Sequence, residues 1–323
     1  MAFTPVEAIT REAREAFPTR KRTRARFAHE KRENAAGYLF LLPWFVGMFV
    51  FTAGPVIASL YLSFTNYNLI GTPAWVGWQN YLAMFQDPQW WDAVRVTLVY
   101  VVLSVPLKLA VALLVALLLK RGLVALGLFR AIYYVPSLLG SSVAIALLWR
   151  QIFDSDGLVN QALSLLGIHV TTSWVSTPDT ALYTLVILSV WQFGSPMLIF
   201  LAGLQQIPQE YYEAAATDGA GPVRNFFAIT LPLITPLVFF NLILQMVGAF
   251  QAFTPSYIVS GGTGGPVYST LFYTLYLYQE GFGDLKMGYA SAMAWVLLIA
   301  VAVFTALAFL TSRYWVIYQD ERS

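Results

Sequence analysis

Long apolar runs alternate with shorter polar connections along most of the chain. A membrane-spanning α-helix needs about 20 apolar residues, and runs of ~18 or more favour a spanning helix over a buried helix of a soluble core. Six runs reach that length: Tyr38–Phe64, Val94–Leu119, Phe129–Trp149, Ala181–Leu204, Leu231–Val259 and Gly288–Thr311. The pattern therefore predicts an all-α membrane protein with six transmembrane helices.

The composition supports this prediction and excludes several kinds of site. Charged residues make up 11% of the 323 residues, whereas a soluble domain has about 25%, which indicates a multi-pass protein of the plasma or inner membrane. The chain has no cysteine, and its histidines, His29 and His169, lie far apart and outside the apolar runs. We therefore expect no disulfide, no metal site and no cofactor held by this chain.

The distribution of Lys and Arg predicts the orientation, because cytoplasmic connections carry the excess of these residues. With the N-terminus inside, fifteen of them fall on the inner side and three on the outer side. We therefore expect both termini in the cytoplasm. The predicted organisation is a basic cytoplasmic tail at 1–35, a six-helix membrane domain at 36–312 with a cytoplasmic connection at 205–230, and a short cytoplasmic tail at 313–323. The basic tail is expected to lie on anionic lipid, since no fold or aromatic platform supports nucleic-acid binding.

The chain lacks residues that two kinds of membrane transporter need, namely those driven by a coupled ion and those that hydrolyse ATP themselves. Ion-coupled carriers keep ionisable residues inside the helix bundle, but Lys108 is the only charged residue away from the ends of the six runs. It has no acidic neighbour in sequence, so we interpret it as structural or phospholipid-facing. The chain contains no Gly-Lys pair and hence no Walker-type phosphate loop. No catalytic constellation is present either, so the sequence does not predict an enzyme, and any ATP hydrolysis would take place in another polypeptide.

The connection between the fourth and fifth runs predicts a short polar helix on the cytoplasmic side. Pro208 suits the first turn of a helix, and Glu210 and Glu213 then lie near its positive end. Three consecutive alanines follow, which give a smooth and strongly helical surface. Asp218 and Gly219 end the helix, and a second short helix is expected at 223–229. A helix too polar to insert and too small to fold alone needs a docking site.

The same connection resembles a known family signature. Glu213-Ala-Ala215 is followed by three residues, Gly219, nine residues and Ile229-x-Leu231-Pro232, which is similar to the EAA signature of binding-protein-dependent ABC importer permeases. The segment Tyr-Tyr-Glu-Ala-Ala-Ala-Thr-Asp-Gly-Ala-Gly-Pro and the later Gly-Gly-Pro266 resemble the carbohydrate branch of that family. The resemblance covers roughly residues 38–312.

The resemblance implies a permease subunit that works with several partners. These are a second homologous permease subunit, two ATPase subunits that bind ATP and Mg, and an extracytoplasmic solute-binding protein that delivers a carbohydrate. It also implies that the polar helix is a coupling helix seated on the ATPase, with these residues at the contact: Glu210, Glu213, Ala214, Ala215, Asp218 and Gly219. An ion-coupled secondary sugar transporter is the alternative.

The fourth and fifth runs carry the polar groups best placed to touch a hydroxylated solute. These candidate pathway residues are Ser189, Gln192, Ser195, Asn241, Gln245 and Gln251. Amides both donate and accept hydrogen bonds, which suits sugar hydroxyls, and Trp191 or Phe250 could supply a ring face. Hydrogen bonding between helices would use the same residue types, so both interpretations stay open.

Overall fold

A computed structural model describes residues 38–120, 126–140 and 142–317. The tail predicted at 1–35 and the last six residues, 318–323, lie outside this range. Residues up to Tyr61 and residues from Leu62 onward form two compact units, the first holding most of the first helix and the second all the others.

The regular secondary structure of the described chain is helical apart from one isolated β-bridge between Thr65 and Trp75, which confirms the all-α prediction. In chain order the helices are α1 (Tyr38–Ser63), α2 (Gln79–Gln86), α3 (Pro88–Lys120), α4 (Leu126–Leu139), α5 (Val143–Ile152), α6 (Leu158–Leu165), α7 (Pro178–Trp191), α8 (Gly194–Gln206), α9 (Gln209–Thr217), α10 (Pro222–Asn225), α11 (Leu231–Phe250), α12 (Thr254–Val259), α13 (Tyr273–Tyr278) and α14 (Met287–Trp315).

Four helical stretches are long and apolar enough to cross a membrane, namely α1, α3, α14 and the stretch Pro222–Val259. Two bent pairs, α4 with α5 and α7 with α8, raise the number to six if each pair counts as one span. The third and fourth apolar runs are therefore broken helices, which the hydrophobic pattern alone did not predict.

Proline chemistry accounts for the break of 41° between α7 and α8. Pro196 lacks an N–H, and its ring excludes the carbonyl group four residues earlier, which belongs to Gln192. That freed carbonyl accepts a hydrogen bond from Ser137 Oγ at 2.9 Å, and Ser137 Oγ in turn accepts from the backbone N–H of Ser195 at 2.9 Å. A side chain of α4 thus satisfies the polar groups that the break exposes, as the interior of a membrane requires.

Two π turns precede prolines for the same reason. The N–H of Gly54 bonds to the carbonyl of Phe49 just before Pro55, and the N–H of Leu231 bonds to that of Phe226 just before Pro232. The wider turn makes room for a ring that an α-helical turn would clash with. As a result α10 continues through Phe226–Thr230 into α11, so the separate short helix expected at 223–229 is instead the start of the fifth span.

Helix α3 lies at the centre of the second unit and packs against α7, α8 and α11. Its buried face includes Ala112 and Ala116, small residues that let helices approach closely in the absence of a hydrophobic driving force between them. Helices α8 and α11 also approach closely, because a Cβ on Gly203 would stand 1.9 Å from the Leu237 side chain. Helices α3, α7, α8 and α11 thus form a closely packed core that positions the polar sites.

Candidate functional site

One tyrosine fastens the polar helix α9 to the membrane frame. The Tyr212 hydroxyl accepts a hydrogen bond from Lys120 Nζ at 3.1 Å and lies 2.9 Å from Thr230 Oγ1. The Lys120 ammonium also stands 4.4 Å from the centre of the Tyr212 ring, where a cation is attracted by the ring face. Because Lys120 ends α3 and Thr230 precedes α11, α9 is held at the ends of two long helices.

The other side of α9 is open to solvent. None of its residues is buried. Of the six predicted coupling residues, Ala215 is half-buried, and the others are exposed, namely Glu210, Glu213, Ala214, Asp218 and Gly219. The structure thus brings these residues together on one short segment with a polar and alanine-rich outer face. The sequence did not single out Tyr212, Lys120 or Thr230, since nothing local indicates that they meet.

The end of α9 has the hydrogen bonds of a Schellman motif. The Ala220 N–H donates to the Ala215 carbonyl at 2.9 Å, and the Gly219 N–H donates to the Ala216 carbonyl at 3.0 Å. This geometry requires a left-handed residue, and Gly219 has φ 75°. A Cβ added to Gly219 would meet no atom within 4 Å. Within the described chain, the backbone conformation and not packing is therefore the reason for a glycine here.

A groove of about 870 Å³ is lined by α9, by α10 with the π turn that follows it, and by the ends of α3 and α8. Its lining is mostly apolar and includes Leu114, Leu204 and Phe226, together with Lys120 and Tyr212. The residues that anchor α9 thus also line an apolar groove.

A second site, a cavity of about 320 Å³, is enclosed by α3, α7, α11 and the residues that join α11 to α12. Four of the six predicted pathway residues line it, namely Ser189, Gln192, Gln245 and Gln251. Helix breaks position two of the four: Gln192 directly follows α7, and Gln251 directly follows α11. Irregular backbone at membrane depth is tolerated where it lines such a cavity.

The other two predicted pathway residues do not line this cavity. Ser195 donates its backbone N–H to Ser137 Oγ. Asn241 is fully buried and donates its side-chain amide to the Leu237 carbonyl of its own helix at 3.0 Å. Although Asn241 and Gln245 lie four positions apart on α11, Asn241 is in the packed interior and Gln245 lines the cavity.

The aromatic residues that line the cavity are not the two that the sequence suggested, Trp191 and Phe250. Trp191 packs against Trp149 with ring centres 5.9 Å apart, and Phe250 packs against Phe304 at 5.3 Å. Tyr100 and Phe253 line the cavity in their place.

Lys108 is the charged residue that lines the cavity. Its side chain is half-buried and lies among the predicted pathway residues, in contrast to the structural or lipid-facing position expected from the sequence. The reason is tertiary: α7 and α11 pack on the face of α3 that carries Lys108, which a single helical run does not reveal.

A third polar site lies where the residues after α1 meet α2, α13 and α14. This pocket of about 490 Å³ is lined by Asp87, Tyr276, Tyr289, Glu280 and Lys286 among others. Asp87 accepts hydrogen bonds from the Tyr276 hydroxyl and, at 3.0 Å, from the Tyr289 hydroxyl.

Charge pairs complete this third site. Lys286 Nζ lies 2.9 Å from Glu280 Oε2 and 3.1 Å from Asp284 Oδ2, and the hydrogen bond to Glu280 raises the pKa of Lys286 above its ordinary value. Among the described residues, no group of three His, Cys, Asp or Glu side chains could hold a metal ion. The sequence pattern did not point to this site.

Comparison with known proteins gives consistent matches over most of the chain. The family described as "Binding-protein-dependent transport system inner membrane component" matches residues 80–315. The "Probable ABC transporter permease protein YesP" of Bacillus subtilis (strain 168) is 49% identical over 292 residues, which cover 90% of this chain and 94% of that protein. The "Lactose transport system permease protein LacF" of Rhizobium radiobacter is 32% identical over 296 residues, covering 90% and 98%.

A solved structure has the same fold. It is the crystal structure of a bacterial alginate ABC transporter in complex with an alginate pentasaccharide-bound periplasmic protein. One of its chains superimposes with a TM-score of 0.74 at 22% sequence identity, over 88% of this chain and 96% of that one.

Proposed function

The chain belongs to the family of binding-protein-dependent transport system inner membrane components, and on that premise we propose that it imports a carbohydrate and receives the motion of an ATPase through α9. As a member of this family it is a multi-pass permease of the inner membrane, and the subunit is the transmembrane, non-catalytic part of an ABC importer. The expectation that the chain resembles this family is thereby confirmed.

The proposed arrangement places six spans in the membrane and both termini in the cytoplasm. The bent pairs α4–α5 and α7–α8 each count as one span, which gives the even number that such an arrangement needs. Fifteen Lys and Arg residues then lie on the inner side against three on the outer side, in keeping with the rule that cytoplasmic connections are rich in positive charge. The domain boundaries proposed above, 1–35, 36–312 and 313–323, follow from this arrangement.

The exposed face of α9 is the single observation that carries the coupling proposal. Its outer residues, such as Glu213 and Ala214, are exposed, whereas Tyr212 fixes its inner side to Lys120 at the end of α3 and to Thr230 just before α11. An ATPase movement that displaces Glu213 or Ala214 would therefore also displace α3 and α11, the two long helices that line the cavity with Lys108. Two ATPase subunits, a second permease subunit and a solute-binding protein are the proposed partners.

A carbohydrate is the proposed solute. Relatives such as LacF are named for the transport of a sugar, and the cavity presents Ser189, Gln192, Gln245 and Gln251, groups that can both donate to and accept from hydroxyls. Tyr100 and Phe253 add aromatic surface for a sugar ring. The ion-coupled alternative has no support, because within the described spans the acidic residues Asp92 and Asp179 stand at helix starts and not in the interior.

Uptake of a panel of labelled sugars by a strain lacking the chain, complemented with variants, tests the proposal. Glu213→Lys is expected to abolish uptake while the chain still inserts into the membrane. Asp156→Lys makes the same charge reversal at an exposed residue of the connection before α7 and is expected to preserve uptake. Normal uptake with Glu213→Lys would contradict the coupling role, and equal loss in both variants would show that the charge change acts by another route.

A further inference from the structure

The cavity that holds the pathway residues contains a cation without an acidic partner. Lys108 lines the cavity, and none of the residues that line it is Asp or Glu. Ser189, Gln192 and Gln245 line the same cavity, and such neutral polar groups can solvate a charge but do not neutralise it. In the part of the chain that the structure describes, Lys108 forms no ion pair.

The acidic residues of the enclosing helices are too distant to serve as that partner. Asp92 lies on the same helix as Lys108 but sixteen positions earlier, which corresponds to about 24 Å along the axis. Asp179 lies in the first turn of α7, ten positions before Ser189, or about 15 Å. Both stand near helix ends, so the cavity itself has a net positive charge.

A lone ammonium group at membrane depth is costly unless it faces water or a counter-charge. Such residues in transport proteins are found on solute pathways more often than against lipid. Lysine acts as a compact point charge with three donors, so it can hold an anionic group in several orientations as a solute moves past. The wall of the cavity already offers amide and hydroxyl groups for neutral parts of the same solute.

We propose that Lys108 is a specificity-determining residue and that the imported solute is an anionic saccharide, whose acidic group binds the Lys108 ammonium in this cavity. This inference rests on the proposed import of a carbohydrate and narrows it to sugars that carry a negative charge. The charge is a carboxylate of a sugar acid or a phosphate ester, and both give the same contact with Lys108. The cavity volume of about 320 Å³ is at the lower end of the range for ligand pockets. The cavity would therefore hold the acidic sugar unit, while the adjoining sugar units of an oligosaccharide lie outside it.

The test uses the complete importer in cells that lack the native chain and carry the wild type, Lys108→Gln or Lys108→Arg. The cells receive a mixed pool of oligosaccharides from hydrolysed polysaccharides. The medium is then resolved by anion-exchange chromatography into neutral and charged fractions, and the depletion of each fraction is followed over time. Immunoblots of the membrane fraction give the amount of each variant.

The wild type is expected to deplete the charged fraction selectively. Lys108→Gln is expected to slow that depletion about tenfold or more, as loss of a hydrogen bond to a charged group does, and Lys108→Arg to retain most of it. Two pretreatments of the pool identify the anion. Alkaline phosphatase removes phosphate esters, and chemical reduction of carboxyl groups converts sugar acids into neutral sugars, so the treatment that abolishes depletion names the group.

Depletion of the neutral fraction by the wild type as fast as the charged fraction would overturn the proposal, even if a variant failed to insert. Unchanged depletion of the charged fraction by Lys108→Gln would overturn it as well. If no fraction is depleted relative to cells without the chain, carbohydrate import itself is wrong, and the inference falls with the proposed function on which it rests.

Discussion

Replacement of Gly219 by valine separates a docking role from a folding role. Gly219 has φ 75° at the end of α9, a conformation that costs a non-glycine residue roughly 1–2 kcal/mol and is worse for a β-branched one. No atom of the described chain lies within 4 Å of the added Cβ, so the Cβ itself overlaps with none of the described residues. The expected loss of stability is therefore about 2 kcal/mol, the upper end of that range, because valine is β-branched.

The chain contains a matched control in Gly167, which follows α6. Its φ is 80°, and a Cβ there also meets no atom within 4 Å. The surrounding hydrogen bonds form the same Schellman pattern, because the Gly167 N–H donates to Ser164 and the Ile168 N–H donates to Leu163, each at 3.0 Å. Gly167→Val should thus have the same backbone cost as Gly219→Val, at a segment with no proposed contact to an ATPase.

Thermal unfolding of the purified complex and uptake in cells are measured for both variants. We expect similar small decreases in melting temperature, normal uptake for Gly167→Val and loss of uptake for Gly219→Val, because the new side chain projects from the proposed docking surface. Equal loss of uptake in the two variants would refute the reasoning, since strain alone would then explain it. Normal uptake with Gly219→Val would refute it as well.

Three further perturbations test the packing and electrostatics. Tyr212→Phe removes the hydrogen bonds of the Tyr212 hydroxyl to Lys120 and Thr230, which are worth about 1 kcal/mol each. Amide hydrogen exchange in α9 should therefore become faster, while exchange in α3 should not change. Unchanged exchange in α9 would mean that Tyr212 does not anchor this helix. Gly194→Ala places a Cβ 2.3 Å from the Tyr133 carbonyl oxygen and should lower the free energy of unfolding by about 1–3 kcal/mol. Gly127→Ala is the control, because its Cβ meets no atom within 4 Å. Equal melting temperatures for the two variants would contradict the close approach of Gly194 to Tyr133. The hydrogen bond to Glu280 raises the pKa of Lys286 above its ordinary value of 10.5, so this interaction stabilises the folded protein fully below pH 10.5 and is lost as pH rises through the higher folded pKa. The gap in melting temperature between wild type and Glu280→Gln should therefore be constant below pH 10.5 and shrink above it.

The course of the spans could be read from the sequence because each apolar run is longer than a soluble helix needs. The breaks could not be located in the same way, although Pro196 is a local signal for the one at Gln192. A proline in an apolar run is compatible with either a kink or a continuous helix, and the outcome depends on whether another helix supplies a donor such as Ser137.

The candidate sites show the same limit. The polar segment 210–219 is local, so its helix and its end at Gly219 were predicted correctly from neighbouring residues. The cavity depends on which faces of α3, α7 and α11 meet, so the sequence could not show that Lys108 lines it and that Asn241 does not. The cluster around Asp87 joins residues almost 200 positions apart, and no local pattern could have brought them together.

The absence of cysteine allows the central claim to be tested with single-cysteine variants and a membrane-impermeant maleimide. Ala214→Cys is placed on the exposed face of α9, and Ser164→Cys on α6 is the control on the proposed outer side. In inside-out vesicles stripped of ATPase, Ala214→Cys is expected to react and Ser164→Cys to remain unlabelled, and the addition of purified ATPase subunits is expected to protect Ala214→Cys. Labelling of Ala214→Cys from the outer side only, or labelling that ATPase subunits leave unchanged, would contradict the assignment of α9 as the coupling helix.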